Sequence, residues 1–289
     1  MEIIILGSGG FQTIPKPCCQ CRVCAEARIK GPPYSRNGPS IFLKDINAIF
    51  DTPKDIVLSV NREGIKKVDN IFYTHWHTDH TEGMRIVEEI TASWSERPPF
   101  ELKNHSHPIN VLAPKQVIKE LKRIKSPLGS YFDYFESQNY IKIKALEFGK
   151  EKVLNNIRIT PIKNNFDGRV TSTSYLIKED DKEAVYMPCD PKPFESLVFL
   201  EGCDLFLVSS PFIESKQGLK KIPKTHPLRD ELFSLEELID LIKRYKIKRT
   251  VVVHIEEMWG LSYEDYKLLE KKYAQYNIIF SFDGLRLKV

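Results

Sequence analysis

The sequence lacks any long apolar run. No segment of its 289 residues approaches the ~20 consecutive apolar residues that a membrane-spanning helix requires. It also lacks an internal repeat, a low-complexity linker and a clear domain boundary. We therefore expect no membrane partner, and a single domain over residues 1–289.

A strong charge of one sign is missing as well. Lys and Arg number 43 against 39 for Asp and Glu, which gives a formal net charge of +4, and the two signs are interspersed along the chain. Nucleic-acid-binding proteins usually concentrate their basic residues on one face. We therefore do not expect stable nucleic-acid binding, whereas the small positive excess suits a small anionic substrate.

The N-terminus lacks the basic leader and the cleavage site of a signal peptide. It reads "MEIIILGSGG", a short apolar run ended by glycines, which is typical of a first β-strand. We therefore expect a cytoplasmic protein. Cysteine is scarce, with six in all, yet four of them lie between residues 18 and 24. In a reducing compartment such a cluster indicates metal binding before a disulfide.

Short apolar runs and amphipathic segments together predict an α/β protein. Runs such as "NIFYTH", "AVYMPCD" and "TVVVHI" are rich in β-branched residues and end in polar or turn residues, as buried strands do. Ser234 and Glu237 form the capping-box pattern at the start of one predicted helix. Helical periodicity covers residues 83–92, 114–125, 234–246 and 262–275. This order of elements indicates two sheets packed face to face with helices outside.

The segment "FYTHWHTDHTEGM", residues 72–84, concentrates histidine. It places His75, His77, Asp79 and His80 within six positions, at the carboxyl end of a predicted strand, where loops commonly carry function. His75 and His77 alternate on an extended segment and can converge on one point, while Asp79 and His80 follow a turn and can face a second point. Imidazole and carboxylate are suitable ligands for zinc, iron or manganese.

The pattern H-x-H-x-D-H, with Gly83 three residues on, resembles the signature of the metallo-β-lactamase superfamily. The resemblance implies an αββα sandwich of two mixed sheets with helices on the outer faces. It also implies a centre of one or two divalent metals, Zn²⁺, Mn²⁺ or Fe²⁺, on the rim between the sheets. Further positions match in order and spacing: Asp51, which would orient the histidines, Asp190, which would bridge two metals, and His254, the last ligand.

The resemblance divides the ligands between two metal positions. His75, His77 and a third histidine hold the first metal, and Asp190 bridges. The second metal is held by Asp79, which we also expect to act in catalysis, together with His80 and His254.

One piece of the family pattern is missing from this sequence. The third histidine precedes the strand written here as "TSTSYLI", and residues 155–175 contain no histidine. Asp167 falls where some relatives carry it, and Asn164 and Asn165 are the other candidates. An added carboxylate changes metal preference, so we expect weaker metal binding at the first position than at the second.

The cysteine cluster predicts a second, structural metal site. Cys19, Cys21 and Cys24 form C-x-C-x-x-C, and three thiolates this close can hold one tetrahedral Zn²⁺ on a loop at about residues 17–30. The cluster narrows the resemblance to the cyclic phosphodiesterase of phosphonate degradation and the pyrroloquinoline quinone biosynthesis protein B. In the phosphodiesterase branch a histidine three residues after the last catalytic one completes this site. Glu257 occupies that position here, and Cys18 is the alternative fourth ligand.

Several other residues have open or structural interpretations. His226 precedes the capped helix, where phosphodiesterase-like relatives have a histidine that can protonate the leaving oxygen; a surface-loop histidine is the alternative. We interpret His105 and His107 as surface residues, and Cys189 and Cys203 as packing residues.

The predicted function is a metal-dependent hydrolase, most specifically a phosphodiesterase that acts on small or cyclic phosphodiesters with a metal-activated water. Lactone or thioester hydrolysis by the same centre is the nearest alternative. A cofactor-biosynthesis protein of the pyrroloquinoline quinone B type is an alternative from another class, and a non-catalytic zinc scaffold ranks last. The expected partner is a small anionic substrate, and a homodimer stays open.

Overall fold

Two β-sheets packed face to face form the centre of the molecule. The structure is a computed structural model that describes residues 1–92, 107–127, 129–164, 170–189, 191–192, 196–214 and 223–289. His105, interpreted above as a surface residue, falls outside these ranges. Within them, each large sheet has seven strands, and a two-stranded ribbon lies apart.

The strands are numbered in chain order. The first sheet contains β1 (Glu2–Gly7), β2 (Ser40–Leu43), β3 (Ala48–Phe50), β4 (Asn70–Phe72), β5 (Ile109–Pro114), β8 (Ile141–Leu146) and β16 (Arg286–Lys288). The second sheet contains β9 (Lys152–Leu154), β10 (Ile157–Lys163), β11 (Thr173–Glu179), β12 (Lys182–Met187), β13 (Leu205–Ser209), β14 (Thr250–Val253) and β15 (Ile278–Phe280). The ribbon pairs β6 (Lys125–Ser126) with β7 (Gly129–Ser130).

Both large sheets are mixed. The first has the order β16-β1-β2-β3-β4-β5-β8, antiparallel from β16 to β3 and parallel from β3 to β8. The second has the order β15-β14-β13-β12-β11-β10-β9, antiparallel from β9 to β12 and parallel from β12 to β15. The parallel strands of each sheet therefore end at a common edge.

Side-chain alternation along the strands builds the core between the sheets. In β1, Ile3 and Ile5 join the central cluster, while Ile4 joins the cluster on the outer face, as the two-residue period of a strand requires. Phe50 and Phe72 stack with their ring centroids 4.7 Å apart inside the central cluster. The core is thus shared by both sheets, which makes the strands of one sheet the support of the other.

Helices cover both outer faces. The helices are α1 (Arg22–Lys30), α2 (Ile56–Arg62), α3 (Thr78–Thr81), α4 (Ile86–Thr91), α5 (Lys115–Leu121), α6 (Tyr131–Ser137), α7 (Leu228–Glu231), α8 (Leu235–Arg244) and α9 (Tyr263–Lys272). Side chains of α2, α4, α5 and α6 bury against the first sheet, and those of α8 and α9 against the second. The result is the αββα sandwich that the sequence predicts.

The clearest sequence signal for a helix is matched closely. Helix α8 begins at the predicted cap, where Glu237 N donates to Ser234 Oγ at 3.1 Å and Ser234 N donates to Glu237 Oε2 at 2.7 Å. By contrast, α4 begins at Ile86 instead of residue 83. Gly83 is fixed outside the helix because its N–H donates to Thr52 O at 2.8 Å. No helix in the described part of the chain is long and apolar enough to span a membrane.

Candidate metal centre

The histidine cluster and its distant counterparts meet at the edge where the parallel strands end. Asp51 follows β3 and His75 follows β4 in the first sheet, and His254 follows β14 in the second. Parallel strands deliver their carboxyl ends to one edge, so residues far apart in sequence converge there. His75 and His80 are fully buried, and His254 is 8% exposed.

Asp51 orients the histidine cluster through hydrogen bonds to Thr74 and His80. Its carboxylate accepts hydrogen bonds from Thr74 N and Thr74 Oγ1, both at 2.8 Å, and lies 2.8 Å from His80 Nδ1. Because a carboxylate can only accept here, His80 carries its proton on Nδ1 and turns Nε2 towards the centre. This is the orienting role that the resemblance implies for Asp51.

His75 has a donor atom that the described residues leave unused. Its Nδ1 lies 2.9 Å from Thr74 Oγ1, whose hydroxyl proton already goes to Asp51, so Nδ1 is the protonated nitrogen. His75 Nε2 is buried and finds no hydrogen-bond partner among the described residues. An orphaned buried acceptor is costly unless a ligand satisfies it, and imidazole Nε2 is a common metal ligand. This atom fits a divalent metal.

A second set of donor atoms converges beside it. His80 Nε2 and His254 Nε2 lie 3.3 Å apart, and Asp79 Oδ2 lies 3.4 Å from the first and 3.3 Å from the second. Two imidazoles and one carboxylate at this spacing can surround a single cation. The histidine rings are in mutual contact as well, since the ring centroids of His75 and His80 lie 4.2 Å apart.

The protonation of these groups is set by burial and by their neighbours. Burial lowers the pKa of His75 well below its ordinary value. Burial also acts to lower the pKa of His80, but Asp79 and Asp51 outweigh it and raise that pKa to about 10. The pKa of Asp79 is lowered from its usual range, because His80 and His254 outweigh the opposing effect of burial. A cation at this position therefore replaces a proton shared among the ligands.

Gly83 of the signature is required by a close approach of the backbone. A Cβ atom at this position would lie 2.1 Å from Pro53 O and 2.7 Å from Ile56 Cγ2. The loop after β3 therefore packs directly against the segment that follows the histidines, which holds Asp51 and His80 in register.

Cys189 is the residue that the sequence interpretation placed wrongly. It is 9% exposed, follows β12, and its side chain hydrogen-bonds to His80 and His254 in the centre of the cluster. Its Sγ lies within 4.8 Å of ligand atoms of two groups, one with His75 and His77 and one with His80 and His254. The packing interpretation is therefore wrong for Cys189. It is correct for Cys203, which is fully buried and donates through Sγ to Leu205 O at 3.1 Å.

Two predicted ligands, Asp190 and Asp167, lie outside the described residues, as does Asn165. Asn164 lies inside them and is 3% exposed. Its amide donates to Ser172 Oγ at 3.2 Å and to Cys189 O at 3.3 Å, and its Oδ1 accepts from Ser174 Oγ at 2.7 Å. Asn164 therefore holds the backbone of Cys189 through bonds that occupy its side chain, and it is no metal ligand.

A cavity of about 250 Å³ opens beside the cluster. On the side of the metal-ligating groups it is lined by His77, Asp79, Cys189, His254 and Glu256. The segment around α7 contributes Leu228, Glu231 and Leu232 to the wall. The acidic side chains make the cavity unfavourable for an anion unless cations occupy the centre.

His226 is on the loop immediately before α7. Its Nδ1 accepts a hydrogen bond from Leu228 N at 3.2 Å, and its side chain is half-buried. The same short segment forms a wall of the cavity through Leu228, but His226 is not among the residues that line it. Its role as the general acid stays a prediction.

The cysteine cluster forms a separate group with Glu257. Glu257 Oε1 lies 2.9 Å from Cys21 Sγ, 3.5 Å from Cys19 Sγ and 3.9 Å from Cys24 Sγ. All four ligand atoms lie within 4.8 Å of one another, which fits one tetrahedral zinc. Cys18, the alternative fourth ligand, is exposed. The structure thus brings Glu257 to the three thiols.

Backbone donors already point at the sulfur atoms of this group. Lys16 N donates to Cys24 Sγ at 3.2 Å, and Cys24 N donates to Cys21 Sγ at 3.4 Å at the start of α1. Burial, followed by the bond to Glu257, raises the pKa of Cys21 to about 12. The Cys21 thiol is therefore protonated in the metal-free protein, and a bound cation would have to displace that proton.

Glu256 connects His254 to the N-terminal segment. Its Oε1 lies 3.1 Å from His254 Nδ1 and accepts from Phe11 N at 3.0 Å. A Cβ at Gly10 would lie 2.1 Å from Glu256 Oε1, so only glycine allows this approach. His254 directly follows β14 and has a left-handed backbone, with φ +54°, two residues before Glu256. The turn that orients His254 is therefore held by the N-terminal segment.

Comparison with known proteins places these features in a family. Residues 46–255 match the family described as "Beta-lactamase superfamily domain". A curated relative, "Ribonuclease Z" from Archaeoglobus fulgidus, is 27% identical over 162 residues, which cover 54% of this chain and 46% of that protein. The matched region thus spans about half the length of the relative.

Solved structures share the whole fold. The diphosphatase "from the PhnP Family" superposes with a TM-score of 0.74 and 21% identity, covering 100% of this chain and 97% of that one. Zn²⁺-bound PqqB from Methylobacterium extorquens gives a TM-score of 0.73 and 16% identity, with 100% of both chains covered. At these identities the likeness is one of fold. The match over residues 46–255, more than half of the chain, settles the family: the chain belongs to the beta-lactamase superfamily.

Proposed function

We propose that this protein is a metal-dependent hydrolase that acts on small phosphodiesters. The observation that carries the proposal is the orphaned Nε2 of His75, buried next to the converging donors of Asp79, His80 and His254. The buried Nε2 of His75 costs stability if it is left unsatisfied. A divalent metal would satisfy it, and the neighbouring oxygen and nitrogen atoms lie close enough together to bind a cation as well.

A metal held by these residues supplies a water nucleophile near neutral pH and neutralises charge on the reacting oxygens. The protein's own contribution is positional. Asp51 fixes the tautomer and orientation of His80, Thr74 does the same for His75, and Glu256 does so for His254. The centre is thus organised by hydrogen bonds that need no rearrangement when a substrate arrives.

The choice of a phosphodiester is supported by the cavity and by the relatives. A cavity of about 250 Å³ lies below the usual range of sites for drug-sized ligands and suits a small substrate. Among the similar proteins, one is a ribonuclease Z and another a diphosphatase, and both names denote hydrolysis at phosphorus. His226, on the loop before α7, would then donate a proton to the leaving oxygen of a bound substrate.

A cofactor-biosynthesis role is the second candidate. It is favoured by the likeness to Zn²⁺-bound PqqB over the whole of both chains and by the absence of a histidine from residues 155–175. The donors of Asp79, His80 and His254 argue for hydrolysis, because a carrier has no need of a full ligand set around an oriented cavity.

The test is turnover by the metal-loaded protein of bis(p-nitrophenyl) phosphate, with p-nitrophenyl phosphate and a small lactone as comparison substrates. We expect the diester to be hydrolysed faster than the monoester and the lactone, and turnover to disappear in His254→Ala. If elemental analysis shows bound metal but the diester is not hydrolysed, the phosphodiesterase proposal is wrong. Turnover of the lactone alone would replace it with the carboxyl-ester alternative.

A further inference from the structure

We infer that the thiolate of Cys189 is the third ligand at the His75/His77 metal position, in the place of the histidine that residues 155–175 lack. The inference rests on the proposed metal centre and deepens it. It assigns a ligand to a position that the superfamily pattern leaves incomplete in this sequence.

Geometry carries the assignment. Cys189 Sγ, a nitrogen of His75 and a nitrogen of His77 lie within 4.8 Å of one another, which is the spacing of ligand atoms around one cation. His75 Nε2 is buried and has no hydrogen-bond partner among the described residues. The group of His75, His77 and Cys189 therefore contains a lone pair that a metal would satisfy. Two nitrogens and one sulfur leave a fourth tetrahedral position for a substrate or water.

Two hydrogen bonds hold the backbone carbonyl of Cys189 in place, as is common for a residue that binds a metal. Asn164 Nδ2 and Ser172 Oγ both donate to Cys189 O, each at 3.3 Å. These donors come from the segments on either side of residues 165–169, which is where the superfamily carries its third histidine. Asn164 therefore does not replace that histidine as a ligand; it positions the residue that does.

A sulfur ligand changes the metals that the position prefers. Thiolate is a soft donor that favours zinc or cobalt over manganese, whereas an aspartate in the same role would favour harder cations. On binding, the thiol proton leaves to solvent and a sulfur–metal bond forms, with no change in oxidation state. The expected weakness of the first position then depends on Cys189 and not on Asp167.

The test uses Co²⁺, because a thiolate ligand gives a cobalt protein a charge-transfer absorption band in the near ultraviolet. The cysteine cluster contributes to this band as well, so the measurement is a difference. The metal-free full chain, Cys189→Ser and the matched control Cys203→Ser are titrated with Co²⁺. We expect Cys189→Ser to lose part of the band and to bind one equivalent at least roughly 100-fold more weakly. Cys203→Ser should match the wild type.

Two further measurements keep the outcome decisive. Cys189→His should restore the affinity but not the lost part of the band, because nitrogen replaces sulfur. In the wild type, bound Zn²⁺ should protect Cys189 from iodoacetamide, as read by peptide mass spectrometry. A full band and unchanged affinities in Cys189→Ser would overturn the inference, as would equal alkylation with and without zinc. Failure of diester hydrolysis with these results intact would count against the proposed function alone.

Discussion

Glu256 and Glu257 are neighbours in sequence but belong to two different regions. Glu256 faces the histidine centre, 3.1 Å from His254 Nδ1, while Glu257 faces the cysteine cluster, 2.9 Å from Cys21 Sγ. In the histidine centre the rings of His75, His80 and His254 are oriented by hydrogen bonds to Thr74, Asp51 and Glu256. In the cysteine cluster the carboxylate contacts the thiols directly, and the chain around them is a loop and one short helix.

The difference shows two ways of building a metal site. The histidine centre is preorganised, since Asp51 and Thr74 lie within the packed edge of the first sheet and fix their rings without a cation. We expect the cysteine cluster to depend on a cation, because the contact of Glu257 with three thiols holds the N-terminal loop against the segment after β14. The first region is expected to govern chemistry and the second to govern stability.

The largest expected effect is on activity. His254→Ala removes a ligand together with the ring that Glu256 orients, so diester turnover should fall at least roughly 10³-fold, or about 4 kcal/mol. Initial rates with bis(p-nitrophenyl) phosphate measure it. Asp190→Ala should do the same on the sequence argument. Exposed His107→Ala is the control, and a His254 variant with half the wild-type rate would exclude that residue from the centre.

Cys24→Ser should abolish zinc binding at the cysteine cluster and destabilise the fold. Loss of one buried thiolate should release the zinc and lower the free energy of unfolding by roughly 3 kcal/mol or more. Elemental analysis and urea denaturation provide the two readings, with Cys203→Ser as the matched buried control. If the wild type contains no zinc at this cluster and is still stably folded, the structural-site prediction is wrong.

His226→Ala tests whether His226 acts as the general acid. Turnover should fall roughly 10²–10⁴-fold if this side chain protonates the leaving oxygen. Diesters with a better leaving group should lose less, since they need less protonation. Metal content should not change. A rate equal to the wild type would return His226 to the alternative of a surface-loop residue.

Asp51→Asn tests preorganisation itself. The amide cannot accept from His80 Nδ1 and from Thr74 as the carboxylate does, so the affinity for the catalytic metal should fall roughly 10–100-fold. Zinc retained by the cysteine cluster should be unaffected, which calorimetry with both sites resolved would show. Equal weakening of both sites would mean that the two regions are one cooperative unit.

The last expected effect is a graded one, the pH dependence of the stability and the zinc affinity of the cysteine cluster. Burial, and then Glu257, raise the pKa of Cys21, so the metal-free fold favours the thiol and loses stability as the pH rises through the ordinary thiol pKa. Zinc needs the thiolate, so its affinity should change in the opposite direction, rising about tenfold per pH unit for each proton released. Competition with a chelator between about pH 6 and pH 8 measures the slope. An affinity that is flat over this range would contradict a protonated Cys21 thiol in the metal-free protein.

The architecture could be predicted because its signals are local and repeated. The capping box at Ser234 and the short apolar runs identify α8 and the strands without reference to the rest of the chain. Helix α1 gives no such signal, since it buries only Val23, Cys24 and Ala27, and its place is set by the cluster that it carries. Gly83 shows the same limit: its hydrogen bond to Thr52 O, which holds it outside α4, is not visible in the helical pattern.

The parts of the candidate site that could be predicted are those whose ligand residues lie at a recognisable spacing in the sequence. The signature at residues 75–80 is dense enough to indicate a metal centre by itself, and Glu257 follows from its offset from His254. Cys189 was missed because an apolar strand run before a cysteine looks the same whether the thiol points into the core or into the centre. The signal that could have found it was the missing histidine, which required a replacement ligand from elsewhere.

The contact between Cys19 and Glu257 has a consequence for the unfolded chain. The two residues are 238 positions apart, so a zinc that holds both closes a loop over most of the protein. By the entropy estimate used for disulfides, a cross-link across a loop of this length disfavours the unfolded ensemble by about 5 kcal/mol. An unfolded chain would bear this cost to keep one zinc on both residues, so it would release the ion, and the zinc would stabilise the protein by binding to its folded state alone.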